Sequence, residues 1–504
     1  MDDRTQTRPL DTIIDAARRP VSRRGMLKRL GAAGLAASTL GALDSLAWAP
    51  DRVTQVSAQG YPAIQFDLGA YVPPARQVDG VAMAMPPVYT VFLTAQIARR
   101  GAPTRDDQQV LAGAIDGIEA LYPFHPAGVF THIAYGLPYF RRLPQGLVAA
   151  HLPVFRATGQ AVLQEATPGP TDVSPLNPGV AKGTFNVPVR IEANDVLITL
   201  RGDDLTHLTD VARWLQGSNH LNGRAFASPA FDGLFRFTSL RVMFVQMGLP
   251  RRVAEQYALP YAGRVNPQSP MWMGFFSQQA TGFGPAEIAT FQGNASARFV
   301  GMLQPDGSAR TVNTSDYFLN GAIQVLAHDI LDLAAWYADD HPYADRVQAM
   351  FRSNPAPHAG YADQYADGGG PAALPNVVPP KRADGFSEAQ SEAATNHRIG
   401  HVPALQRVTR APDGTIVPQR IDGPGFDAMD VPGGAPQPKL QFSAFVPSAQ
   451  NFAKARLNAA APDLSPSQVP AAHNGIELFI TATRRQNFLC PPRAHRAFPL
   501  LELA

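Results

Sequence analysis

Residues 88–97 (VYTVFLTAQI) are β-branched or aromatic over most of their length, and a stretch of this kind reads as a buried strand. The residues after it narrow the fold. Thr104 is suited to an N-cap, and Asp106 and Asp107 fall in the first turn, where the helix dipole favours negative charge. Val110, Leu111, Ala114, Ile115, Ile118 and Leu121 then recur at helical spacing. A second strand is expected at 129–135 and a third at 195–200 (DVLITL), after which Leu205, Leu208, Val211, Ala212 and Leu215 make one helical face. Strand, helix, strand, then strand and helix predicts an α+β fold, with helices on one face of a mainly antiparallel sheet.

The second half repeats the style. Residues 322–326 and 440–446 read as strands, and 448–460 as a helix with Phe452, Ala455 and Leu457 apolar. Residues 476–482 (IELFITA) read as a further strand, Ile476, Leu478 and Ile480 alternating with Glu477, Phe479 and Thr481. Stretches 354–385 and 411–438 are rich in Gly and Pro, and connections of that length cover a site or lack order. No repeat of 20–50 residues is present, which excludes solenoids and propellers.

Composition bounds the chemistry. With 504 residues, 45% apolar and 17% charged, the chain has ample material for buried cores. The formal charge is +2, and the first 49 residues hold eight basic and five acidic side chains, leaving 35 basic and 36 acidic beyond them. A body this close to neutral argues against nucleic-acid binding, which needs a basic stripe to displace counterions. The single cysteine, Cys490, excludes an intrachain disulfide, a zinc ribbon, a cysteine-ligated iron–sulfur cluster and a CxxCH haem attachment.

Residues 1–49 read as an address. Ser22-Arg23-Arg24-Gly25-Met26-Leu27-Lys28 is a twin-arginine pattern, followed by a mild apolar run at 30–43 and by Ala47-Trp48-Ala49. The run is shorter than the about 20 residues of a membrane-spanning helix. The pattern predicts export by the twin-arginine machinery to the periplasm or outside the cell, cleavage after residue 49 or 58, and a mature chain without a stable membrane span.

The chain has no GxSxG elbow, no GxxxxGK[ST] loop and no HExxH. Its one dense constellation is Asn396-His397-Arg398-Ile399-Gly400-His401, then Arg407, Arg410 and Arg420-Ile421-Asp422-Gly423-Pro424-Gly425. Two histidines four apart could share a helical face and bind a metal, although Gly400 and Pro403 oppose a continuous helix. The same residues also read as a surface loop with two solvated histidines. A histidine backed by a pocket-facing arginine is, besides, what an iron porphyrin needs, with imidazole on one side and a cation on the other.

Several segments, in order, resemble the dye-decolourising haem peroxidases. Ser269-Pro270-Met271-Trp272-Met273-Gly274-Phe275-Phe276-Ser277 resembles that family's GFxDG region. Gly321–Val325 with Asp329–Leu333 and Trp336, and then 347–352, resemble its strand and following helix. His401 with Arg420 resembles its proximal-histidine and distal-arginine pair, and 475–485 with Asn487–Pro492 its closing strand and terminus. The resemblance covers most of 80–500 and is densest after Ser269. It implies two ferredoxin-like units as in dimeric α+β barrels, placed here at 80–275 and 300–504, with haem b in the second. It implies His401 as iron ligand, His397, Arg420, Gly274 and Phe275 around the cofactor, and hydrogen peroxide and a small organic donor as partners. Ser277 departs from the family, whose aspartate moves protons on peroxide. A serine holds no charge at neutral pH and is a poor general base, which leaves Arg420, Asp422 and Ser277 as the catalytic candidates. Asp422 reads equally as a turn residue before Gly423-Pro424. The alternative reading is a non-catalytic exported haem- or ligand-binding protein of the same fold.

Replacing Arg23 and Arg24 together by Lys is expected to leave folded precursor in the cytoplasm, because the export receptor reads the arginine pair rather than charge. Immunoblots of cytoplasmic and exported fractions check it, and unchanged export would remove the leader assignment.

Overall fold

The computed structural model describes residues 43, 45–47, 60–74, 76–78, 81–83, 85–156, 158–229, 231, 233–275, 284–295, 311–312, 315–351, 393–409, 415–461, 469 and 474–504. The twin-arginine pair, both cleavage positions, Ser277, Arg410 and the stretch 354–385 lie outside them. The first half runs β1 (Tyr89–Ile97), α1 (Arg105–Leu121), β2 (Phe130–Gly136), β3 (Val196–Gly202), α2 (Leu205–Trp214) and β4 (Phe235–Phe244). α1 begins where the sequence predicts. The Thr104 side chain accepts from the Asp107 amide, and the Asp107 carboxylate accepts from the Thr104 amide at 2.6 Å, a reciprocal cap that satisfies two otherwise orphaned donors. Asp204 caps α2 by accepting from Thr206 N at 2.8 Å.

The second half contributes β5 (Ala322–Leu331), α3 (His401–Thr409), β6 (Gln419–Asp427), β7 (Gln437–Val446), α4 (Ala449–Ala460) and β8 (Ile480–Cys490). The strand order across the sheet is β4-β1-β3-β2-β8-β5-β7-β6. Within each half this is 4-1-3-2, the order of a ferredoxin-like βαββαβ unit. The fold is therefore α+β, two ferredoxin-like units in one antiparallel sheet. They join where β8 pairs β2 at Phe488↔Gly136 and Leu489↔Tyr135.

The two outermost strands, β4 and β6, also lie against each other and close the sheet on itself. Glycine makes that approach possible. A Cβ on Gly423 would meet Val245 Cγ2 at 2.6 Å and Met243 Cγ at 3.0 Å, and one on Gly425 would meet the Val242 carbonyl oxygen of β4 at 3.0 Å. Inside the closed sheet, Phe92, Ala134, Leu197, Met243, Val245, Leu326, Ile421, Phe445 and Phe488 form one apolar cluster. The alternate positions, such as Val91, Leu93, Ile198, Ile323 and Val325, face outward into a larger core shared with the helices. Phe66 enters the inner cluster and stacks on Phe445 with ring centroids 3.9 Å apart. Its neighbour Gln65 donates to Ile133 O and Pro491 O and lies 3.6 Å from the Cys490 sulfur.

Three elements differ from the sequence reading. The strand expected at 476–482 starts only at Ile480, and Glu477–Phe479 is a 3-10 turn. The expected alternation breaks there: Ile476 and Glu477 are both 4% exposed and Leu478 is 41% exposed. β6 lies within 411–438, where Gly and Pro suggested only a connection. Its glycines serve the close approach to β4, and Pro424 is tolerated in the outermost strand of the ladder, where only one edge pairs. β4 went unread because its arginines break the apolar pattern, yet Arg241 is buried in an ion pair with Glu192. In α4 the buried residues include Ala449, Ala455, Ala459 and Ala460, while Leu457 is exposed.

Gly423→Val is expected to destabilise the protein by about 1–3 kcal/mol, the range for forcing methyl groups into a packed interior. Urea denaturation checks it, and an unchanged midpoint would show that β4 and β6 separate freely.

Candidate functional site

Period-two alternation sorts the residues of β6. Ile421 belongs to the inner cluster, and Gly423 abuts Met243 and Val245. Arg420 and Asp422 therefore face the other way, to the helix-covered side. There the Arg420 guanidinium stands 3.6 Å from the Asp422 carboxylate, both side chains partly exposed.

His401 opens α3 on that same side. Gly400 precedes it against the backbone of Phe351, where a Cβ would lie 1.6 Å from the Phe351 carbonyl oxygen, so only glycine brings the chain through. On the other flank, Gly475, with φ +55°, approaches His401 Cα so that a Cβ would lie 3.1 Å away, and Gly475 N donates to Ile399 O at 2.9 Å. The His401 ring keeps Nδ1 fully enclosed and without a hydrogen-bond partner. Burial pushes its pKa down to about 4. Glu477 pulls the other way, and the charges of Arg456 and Arg420 add to the lowering. The imidazole is therefore neutral through the physiological range.

His397 does not join it. The helical turn before it ends with His397 in the left-handed region, φ +53°, so the two histidines do not share a helical face. Gly274 also has positive φ, +88°, and a Cβ there would stand 3.2 Å from Tyr337 Oη. Phe275 is buried against the rings of Tyr343 and Phe351. Its segment is tied to β6 by Trp272, whose Nε1 donates to Gly425 O at 2.9 Å. Phe351 thus touches both Phe275 and Gly400. The structure brings His401, Arg420 and Asp422 to one side of the sheet, with Gly274 and Phe275 beside them through Phe351, and His397 stands off the helix that His401 opens.

Sequence reasoning missed the charged cluster behind His401. Glu477 accepts from Arg456 at 3.2 and 3.4 Å and from the Thr171 hydroxyl, and its carbonyl accepts from Lys182 Nζ. Asp172 receives both Nε and Nη2 of Arg485, at 2.7 and 2.9 Å, and one Arg456 nitrogen at 3.5 Å. Burial raises the Glu477 pKa, but Arg456, Thr171, His401 and Lys182 outweigh it and hold the carboxyl below its usual range. Asp329 is the exception. Burial lifts it to about 6 against the pull of Arg485 and Arg456, and its Oδ1 has no partner. The only signal in the sequence was the glutamate inside IELFITA, which the strand reading set on the face opposite Ile476, Leu478 and Ile480.

Among the described residues, no group of three or more His, Cys, Asp or Glu could hold a metal by itself. One neutral imidazole suits a metal whose other ligands arrive with it, as in a porphyrin.

A family model matches residues 87–492, from the start of β1 to just past β8. The chain belongs to DUF7405, a family of unknown function. No curated protein matches this DUF7405 chain. Similar solved structures include a dye-decolorizing protein from V. cholerae, at 12% identity and TM-score 0.43, covering 86% of this chain and 98% of that one. Ferric DtpA from Streptomyces lividans is similar at 15% identity and TM-score 0.45, over 86% and 96%. The encapsulated DyP-type peroxidase from Mycobacterium smegmatis is similar at 13% and 0.43, over 85% and 98%.

Asp329→Asn is expected to stabilise the protein at pH 7–8 and to have little effect at pH 4. An aspartate whose folded pKa is about 6 against an ordinary 3.8 loses stability as pH rises from about 4 to about 6, because ionising it in place is unfavourable. The gap corresponds to about 2–3 kcal/mol. Paired denaturation curves at the two pH values check it, and an equal effect at both would refute the buried-acid assignment.

Proposed function

We propose that this DUF7405 protein is an exported haem protein of peroxidase type, with His401 as iron ligand and haem b as the cofactor. The observation that carries the reading is His401 itself: a neutral imidazole with Nδ1 enclosed and partnerless, in the electrostatic reach of Arg420. Enclosure of Nδ1 leaves Nε2 as the coordinating nitrogen. An imidazole that is unprotonated above about pH 4 needs lose no proton to coordinate iron. Gly400 and Gly475 close in on its backbone and fix where the ring stands. The residues present therefore fit a haem. Gly274 and Phe275 would form part of the pocket wall, and His397 has no part in ligation.

Bound haem supplies an iron that changes oxidation state as hydrogen peroxide is reduced to water and an organic donor is oxidised. The protein's share is electrostatic. The Arg420 guanidinium presents several N–H groups, which would donate to a peroxide anion and to the negative charge that grows as the O–O bond breaks. Asp422, 3.6 Å from that guanidinium, would take up the proton that hydrogen peroxide gives up and return it to the departing oxygen, which leaves as water. Ser277 orients water in this scheme. The leader pattern supports delivery to the periplasm or outside the cell, and among the described residues no helix is long and apolar enough to cross a membrane.

A second reading, haem or ligand binding without turnover, is favoured by Ser277, which stands where the resemblance puts an aspartate. Peroxide reactivity separates the two.

Protein produced with haem precursor is expected to show a Soret band. His401→Ala should lose most of it and His397→Ala should not, while Arg420→Leu should keep the haem but lower peroxide turnover by about 10²-fold. Absorbance titration with hemin and stopped-flow with peroxide check these outcomes. A wild-type chain that takes up no hemin ends the haem reading, and one that binds hemin but reacts with peroxide no faster than free hemin leaves the binding reading.

A further inference from the structure

The connection between β2 and β3 belongs to the first half by sequence, but it sends Thr171, Asp172 and Lys182 into the second half. All three arrive at the cluster behind His401. The Thr171 hydroxyl donates to the Glu477 carboxylate, and the Lys182 ammonium donates to the Glu477 carbonyl. Asp172 binds Arg485 through two nitrogens and also contacts Arg456, the arginine that holds both oxygens of Glu477. Asp172 is itself fixed by its own chain, its Oδ2 accepting from Gly169 N at 2.6 Å. Asp172, Lys182, Glu477 and Arg485 are each less than a tenth exposed, so no bulk water replaces these partners.

Glu477 lies two residues after Gly475, whose amide donates to Ile399 O and whose backbone abuts His401. A shift of Glu477 is therefore a shift of the His401 flank. We infer that the first half's connection, residues 169–182, is the positioning element of the proposed iron-ligand side, holding His401 through Thr171 and Lys182 on Glu477 and through Asp172 on Arg456. The site is then built by both halves, although its ligand, its arginine and its carboxylate all come from the second. This rests on His401 being the ligand, as proposed above, but the positioning of His401 itself does not require haem.

Two variants of the full chain test it, Thr171→Val, which keeps shape and removes the donor, and Lys182→Met, which removes the ammonium. Thr171→Ser serves as the conservative rescue. Hydrogen exchange on the haem-free chain is the first readout. Exchange should quicken at 399–404 and 474–479 in both variants, and return to wild-type rates in Thr171→Ser. A merely local role would quicken 169–182 alone, and that result overturns the inference. Haem transfer to an acceptor apoprotein is the second readout. Loss should be about 10-fold faster in Thr171→Val, at the lower end of what removal of an outer-shell partner does to metal affinity. Unchanged loss with wild-type hemin binding intact overturns the inference and leaves the proposed function standing. If the wild-type chain takes up no hemin, the proposed function falls, and the exchange readout alone decides the positioning role.

Discussion

A carboxylate removed from water is costly to keep charged unless cations meet it with good geometry. Asp172 is met by two arginines, one through a bidentate contact, and Glu477 by one of the same arginines with a hydroxyl besides. These contacts hold a long connection of the first half against the last strand of the second. The backbone ladder joins the halves where β8 pairs β2 at two residue pairs and residues 190–191 at two more, and the side-chain ion pairs add to the fixing of one unit on the other. Removing one partner would strand a buried charge, which is more damaging than the pair is stabilising.

Alternation along the strands separates two compartments. Odd and even positions of β6 send Ile421 and Gly423 into the closed interior and Arg420 and Asp422 to the helix side. The interior has its own buried polar groups, among them His132, Gln324 and His328, some with unpartnered atoms. Those atoms are enclosed too tightly to reach solvent, whereas Arg420 and Asp422 keep partial exposure. Solvent therefore reaches Arg420 and Asp422 more readily than those interior atoms.

The fold was legible where one physical signal dominated. The apolar strands, the Thr104 cap and the amphipathic faces of α1 and α2 are local features, and each was read near its true place. Strands whose residues answer to distant neighbours were not. Gly423 and Gly425 look like loop residues until β4 is seen pressing on them, and Arg241 looks like solvent-facing charge until Glu192 is beside it. The candidate site divides the same way. His401 and Arg420 are close in sequence, and the resemblance singled them out as a pair. Asp172, Arg456, Glu477 and Arg485 come from three separated segments, and each alone resembles an ordinary surface charge.

Cys490 has a consequence of another kind. It is the chain's single thiol, it ends β8 inside the closed sheet, and Gln65 and Pro491 cover its sulfur. Burial pushes its pKa well up, so almost no thiolate exists at working pH. A protein with one sheathed, protonated sulfur has no cysteine partner of its own to pair with and offers little to foreign disulfides or oxidants. Its covalent state is the same in a reducing cytoplasm and in an oxidising compartment, so a chain folded in the first could enter the second without chemical change.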